Sequence, residues 1–350
     1  MGEIHITSYG AKLRTRAGLF VLHPGNLTGS GDPRPPQEYA PHQVECILLY
    51  EKSGSISADA MSLALRFEVD ILFCDHFGNP LARLQPARSS APTMVQVAQH
   101  RLIGTPKSLE FVKQWLSLKF RRKLAFLAKL QRRRKGDPEK VAMLKAVRQK
   151  LAEYFIQLQN QPLLPLKEAA ERIRGFEGAA SRLYFQTLSK LLQPEYQFEG
   201  RSRQPAQDIF NDFLNYGYGI LYRWTEKFLW LGGISPYAGF LHGLEKNQKA
   251  MLYDFIEPYR PWVDALVFNL CSRKIATKHH IVEHNSGWWL SNTGKALLTE
   301  VFYEFFENED IDYDGALITP MKTMRQDARA FAGALMEIPE TLPVLDEPYS

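Results

Sequence analysis

Along the first hundred residues the apolar positions come in short runs. "EIHITSYGAKLRTRAGLFVLHP" breaks into β-prone pieces with turn residues between them, and "QVECILLY" and "FEVDILFC" read as buried strands. Between those two strands "SADAMSLALRF" has helical spacing, with Ser57 placed as its N-cap. "DHFGNP" then supplies a turn before "LARLQP", and the proline- and glycine-rich stretch from Pro24 to Gln43 reads as a loop insertion. After Pro92 the period lengthens. Leu116, Phe120, Leu124 and Leu127 mark one helix, and "KGDPEK" ends it and starts another, with Asp137 as N-cap and Pro138 at the first helical position. Val141, Leu144, Val147, Leu151, Tyr154 and Leu158 form the stripe of that second helix.

"LKEAAERIRGFEGAASRLYFQTLSKLL" keeps helical spacing despite Gly175 and Gly178. Each glycine costs about 1 kcal/mol against alanine in a helix, so the pair predicts a close packing neighbour. Gln207 to Leu231 predicts a long buried helix, "GGISPYAGFLHG" a loop, and Lys249 to Leu270 a helix bent at Pro258 and Pro261. The pattern predicts an α+β protein: a small N-terminal β-rich domain over 1–95, a larger C-terminal all-α domain over 96–336, and an acidic, proline-containing tail over 337–350.

Composition narrows the class. No run of about 20 uncharged apolar residues is present, so no membrane span is expected, and "MGEIHITSYG" lacks the build of a secretory signal. Cys46, Cys74 and Cys271 lie too far apart for a disulfide framework or a Cys-rich zinc site, which favours a reducing cytoplasm. The net charge of +5 is mild, but Lys119 to Lys135 holds nine Lys or Arg and no acid. Lys119, Arg121, Arg122, Lys123, Arg132, Arg133 and Arg134 are therefore candidate phosphate contacts to DNA, set against the plainer reading of a solvated basic face.

Four residues carry candidate chemistry. Asp254 and Glu257 are three apart, which puts them on one side of a helix, and their neighbours Leu252, Phe255 and Ile256 are apolar. Glu177 sits among small and apolar residues, and His242 ends the loop before the Asp254 helix. A buried carboxylate is costly unless it is paired or binds a metal. Glu177, His242 and Glu257 can share a divalent ion, and two hard oxygens with one imidazole suit manganese or magnesium. The plainer reading pairs Arg260 with Glu257 and Arg182 with Glu177, and leaves His242 as an ordinary hydrogen-bonding residue. "KHHIVEH" spaces His280 and His284 four apart without the order of a zinc helix motif, so surface histidines are expected there. Tyr184, Tyr216, Tyr218, Tyr222, Trp224 and Trp230 are expected to pack mainly as core. Neither a phosphate-binding glycine loop nor a dinucleotide-binding glycine pattern is present.

"RGFEGAASRLYF", "NYGYGILYRWTEKFLWLGGISPYAGFLH" and "LYDFIEPYRPWVD", in this order, closely resemble the CRISPR-associated spacer-acquisition integrase, the "Cas one" endonuclease family. The family pattern is an Arg-Gly-x-Glu-Gly glutamate, a Pro-x-x-Gly-Phe-x-His histidine and an Asp-x-x-Glu/Asp pair before an Arg-Pro turn. It falls here on Glu177, His242, Asp254 and Glu257. The resemblance implies a β-rich dimerisation domain followed by a helical catalytic domain. It implies a homodimer that flanks a dimer of the small "Cas two" protein in a prokaryotic cytoplasm, and metal-dependent joining of the 3′-hydroxyl ends of captured double-stranded DNA to CRISPR repeat DNA. It also implies Mg2+ or Mn2+ ligation by Glu177, His242 and Glu257, with Asp254 in the second shell or acting through water. The rivals are a metal-dependent nuclease on branched or single-stranded DNA without integration, and a non-catalytic DNA-binding scaffold. The Pro24–Gln43 insertion is the main departure from the family pattern.

Overall fold

A computed structural model describes residues 2–25, 35–85, 91–162, 166–203, 205–242, 248–284 and 287–338, with the side chains of 166–168 and 284 outside the description. The chain divides into two compact units, Met1–Met94 and Val95–Ser350.

The first unit contains strands β1 (Gly2–Ile6), β2 (Ala11–Arg16), β3 (Leu19–His23), β4 (Gln37–Tyr39), β5 (Val44–Tyr50) and β6 (Gly54–Ile56), helix α1 (Ala58–Arg66), and strands β7 (Asp70–Cys74) and β8 (Pro80–Leu84). They form two four-stranded sheets, β1-β5-β7-β8 and β4-β3-β2-β6. β1, β5 and β7 run parallel, which places Ile47 of β5 opposite Ile4 and Ile71 in register. Both faces of such a strand are covered, which explains the continuous apolar runs. Ser57 caps α1 by accepting from the Ala60 amide at 3.2 Å, as its position predicts. Part of the expected insertion is ordered: β4 pairs with β3, so Gln37–Tyr39 belongs to the second sheet, while residues 26–34 lie outside the described residues.

The second unit is helical: α2 (Ala91–Leu102), α3 (Pro106–Arg133), α4 (Pro138–Gln159), α5 (Leu166–Leu191), α6 (Ile209–Leu231), α7 (Ala250–Phe255) and α8 (Arg260–Ser272). Hairpin β9 (Ile281–His284) and β10 (Gly287–Leu290), helix α9 (Asn292–Tyr303), hairpin β11 (Ile311–Tyr313) and β12 (Ala316–Ile318), and helix α10 (Pro320–Met336) complete it. The β-rich start and the helical remainder are as expected, and the two hairpins are additions to the helical part. The histidines of "KHHIVEH" consequently lie on a short 3-10 turn and strand β9, not on one helix face, and His280 Nδ1 accepts from the Thr277 amide at 3.0 Å. No helix among the described residues is long and apolar enough to cross a membrane.

Long α3 lies against α4, α5, α7 and α8. Thr105 and Asp137 cap α3 and α4 by accepting from the Ser108 and Lys140 amides. The helix expected over Lys249–Leu270 is broken outright. Pro258 and Pro261 cannot donate to a continuous ladder, so α7 ends at Phe255 and α8 begins at Arg260. Gly175 and Gly178 correct another expectation: a Cβ built on either meets nothing within 4 Å, so among the described residues no helix packs against them. They leave open space on both sides of Glu177.

Candidate active site

Glu177 lies midway along α5, and Glu257 lies in the turn between α7 and α8. Both accept from one donor, the ammonium of Lys119 on α3, at 2.5 Å for Glu257. Two carboxylates far apart in sequence thus stand within two hydrogen-bond lengths of each other. Ser181, one turn along α5, donates to the same Glu177 oxygen at 2.7 Å, and Lys123 donates to Ser181 at 2.8 Å. Arg260 reaches the other oxygen of Glu257 at 2.9 Å, donates to the Tyr222 hydroxyl at 2.6 Å and stacks over the Tyr218 ring at 4.8 Å.

His242 is held from behind. Its Nδ1 lies 2.5 Å from Asp254 Oδ1, while Asp254 Oδ2 accepts from the Phe240 and Leu241 amides at 2.6 and 2.9 Å. Asp254 is buried and all its polar contacts are internal, so it orients the ring and leaves Nε2 available. Three further contacts fix the loop. The Gln99 side chain on α2 donates to the Ser235 and Ala238 carbonyls and accepts from the Ser235 amide. Arg174 on α5 donates to the Leu241 carbonyl at 3.2 Å. A Cβ at Gly239 would lie 2.5 Å from that of Ala250, so only glycine lets the loop rest on the start of α7.

The electrostatics follow from this packing. Burial pushes the Glu177 and Glu257 carboxyls up, but nearby cations outweigh it and hold both below the usual carboxylate range: Lys119 and Lys123 for Glu177, Arg260 and Lys119 for Glu257. Burial lowers His242, but its hydrogen bond to Asp254 and the charges of Asp254 and Glu257 raise it above the ordinary imidazole value. Both Glu177 and Glu257 are therefore ionised at neutral pH and face a cation. The two ionised carboxylates are the hard oxygen donors that a divalent ion takes, while His242 stands outside their group. Among the described residues, no three His, Cys, Asp or Glu side chains are grouped as a ready-made ion site.

The basic block separates into two sets. Lys119 and Lys123 are 5% and 3% exposed and engage the carboxylates and Ser181, so the expectation that they contact DNA is overturned. They fall on the α3 stripe that also carries Trp115, Leu127 and Leu130, and a buried lysine is stable there because α5 and the α7–α8 turn bring it partners. Arg122 is likewise engaged: it donates to the Pro258 carbonyl at 2.7 Å and lies 3.9 Å over the Trp262 ring. Arg134 donates to the Leu130 carbonyl and lies over Phe268. Arg121, Arg132 and Arg133 are exposed. Of the aromatic set, Tyr184, Tyr218 and Trp224 are buried. Sequence reasoning missed Gln99, Arg174 and the inward role of Lys119. A glutamine among the apolar positions of α2 and two lysines four apart on an apolar stripe were the available signals.

A family model described as CRISPR associated protein Cas1 matches residues 4–304. CRISPR-associated endonuclease Cas1 1 of Archaeoglobus fulgidus is 30% identical over 278 residues, covering 77% of this chain and 80% of the relative. CRISPR-associated endonuclease Cas1 1 of Thermus thermophilus is 31% identical over 304 residues, covering 86% and 85%. Among solved structures, a casposase bound to integration product superposes with a TM-score of 0.72 at 22% identity, covering both chains fully. A partial Cas6-RT-Cas1–Cas2 complex superposes at 0.70 with 16% identity, covering 98% of this chain and 99% of that one. With a family match over most of its length, the chain belongs to the CRISPR associated protein Cas1 family.

Proposed function

We propose that the chain is a divalent-metal-dependent DNA endonuclease and integrase of CRISPR adaptation. In this reading it joins the 3′-hydroxyl ends of captured double-stranded DNA to phosphodiesters of CRISPR repeat DNA. The observation that carries the reading is the convergence of Glu177 and Glu257 on one cation, with His242 oriented separately by Asp254. Its support is membership of a family whose relatives are named endonucleases, and a fold shared with a casposase bound to integration product.

Glu177, Glu257 and His242 Nε2 would hold Mg2+ or Mn2+. Bound there, the ion withdraws charge from the phosphate oxygens and favours the departing oxyanion. The protein's own part is positional. Asp254 accepts from Nδ1–H and so directs the Nε2 lone pair outward, and Arg260 fixes the Glu257 carboxylate. The open space beside Gly175 and Gly178 gives a DNA strand room to approach Glu177. The exposed Arg121, Arg132 and Arg133 would run along the DNA backbone without reading sequence. No side-chain nucleophile is required: the DNA 3′-hydroxyl would form the new P–O bond as the P–O3′ bond of the repeat strand breaks, its proton leaving to solvent and the departing 3′-oxyanion taking one up. The working assembly in this reading is a homodimer, formed through the β-rich unit, with a Cas2 dimer. A structural neighbour is a Cas1–Cas2 complex.

The test supplies a labelled DNA end and a supercoiled repeat plasmid, with Mg2+, with Mn2+ or with EDTA. Joined product that requires the ion and is lost in Glu177→Gln supports the proposal. Ion-dependent nicking without joining points to hydrolysis alone. Unchanged reaction in Glu177→Gln removes the site from catalysis.

A further inference from the structure

The cation between the two glutamates is unusual in kind as well as place. Arg260 is locked by a tyrosine hydroxyl and an aromatic face. Lys119 instead offers a point charge on a flexible four-carbon stem, which can retract without breaking a planar fork. Its ammonium takes from Glu177 and Glu257 the same lone pairs that a divalent ion would need. Charge counting sharpens the conflict. Glu177, Glu257, Lys119 and Arg260 sum to zero, so the carboxylates are neutralised within the fold. A divalent ion added while the ammonium stays between them would set three positive charges against two negative ones in a poorly solvated place, with Arg260 and Lys123 close by.

We infer that Lys119 is a built-in counter-ion: it holds Glu177 and Glu257 together in place of the divalent ion, competes with that ion for both carboxylates, and withdraws when the ion binds. This rests on the metal reading proposed above. It assigns to Lys119 a positioning role that keeps two like charges from driving α5 and the α7–α8 turn apart, and a lowered ion affinity as the consequence.

The test compares the full-length wild type, Lys119→Met and Glu177→Gln. Mn2+ is titrated into each without DNA, and free ion is followed by electron paramagnetic resonance. Removing a competing cation should tighten Mn2+ binding in Lys119→Met by roughly tenfold or more, while Glu177→Gln should weaken it. In parallel, an amine-reactive label is applied to the wild type with and without Mn2+ and read by mass spectrometry, and Mn2+ should raise labelling of Lys119. A folded Lys119→Met with unchanged or weaker Mn2+ affinity overturns the competition. Should that variant not fold, the wild-type labelling decides, and labelling that Mn2+ does not raise overturns the withdrawal. Equal Mn2+ binding by wild type and Glu177→Gln would instead bring down the metal reading, and this inference with it.

Discussion

The two faces of α3 carry the same kind of residue to opposite ends. On one face Lys119, Arg122 and Lys123 point into the unit and meet carboxylates, a serine, a backbone carbonyl and aromatic rings. On the other, Arg121 and Arg132 face solvent, while Arg133, in line with Arg122 along the helix, is exposed as its last residue. A cation on the first face is an architectural part of the site, and its loss leaves partners stranded. A cation on the second contributes only to the field seen by a polyanion. Charge density along a sequence therefore does not distinguish a binding face from an internal brace, whereas helical position relative to the apolar stripe does so within the body of the helix.

The largest test of this contrast is on the inner face. Glu177→Gln is expected to reduce DNA cleavage and joining by about a thousandfold or more, with little change in DNA affinity by fluorescence anisotropy. A matching loss of affinity would mean that Glu177 acts in binding rather than in the reaction. Asp254→Ala should follow, because it frees the His242 ring and leaves two amides without their acceptor: a fall of about 10- to 100-fold in activity and about 1–3 kcal/mol in stability by urea denaturation. Full activity in that variant would show that His242 needs no orienting group.

A smaller effect comes from a buried charge that lacks an ion-pair brace. Burial pushes Asp212 up to about 6, and Asp208 adds to the rise, while the Leu290 amide and Lys295 only partly offset it. A carboxyl whose folded pKa is raised contributes stability below its unfolded value near 3.8 and loses that contribution as pH climbs through about 6. Stability by urea denaturation should therefore drop between pH 5 and pH 8, by about 1.4 kcal/mol from this group, and Asp212→Asn should flatten the drop. A flat wild-type profile would contradict the assignment. The smallest effect on the fold belongs to the outer face. Arg121→Ser with Arg132→Ser should shift stability by no more than about 0.5 kcal/mol and lower the salt dependence of DNA binding by about one unit for each lost phosphate contact. A loss of stability comparable to that of Asp254→Ala would erase the distinction between the faces.

Much of this was readable beforehand. Ser57 and Asp137 cap the helices they precede, and Arg260 pairs with Glu257, because each depends on local spacing. Glu177 and Glu257 converge, but their meeting point on Lys119 depends on how three helices pack, which no local pattern encodes. Arg182, which the plainer reading paired with Glu177, is exposed instead. The β11–β12 hairpin was announced by Asp314-Gly315, whose positive φ values of 50° and 84° suit a tight two-residue turn, yet three-residue strands give too short an alternation to register. The glycines beside Glu177 promised a packed neighbour and have open space instead, since a missing side chain reads the same in sequence whether a helix or solvent occupies the gap.

Gly239 shows the reverse case. A hydrogen atom there, where other residues carry a methyl or more, sets the depth to which the chain can sink against Ala250. The imidazole three residues on inherits that depth. Even the single methyl of Gly239→Ala would lift the segment, so the reach of His242 is decided at a position that bears no side-chain chemistry of its own.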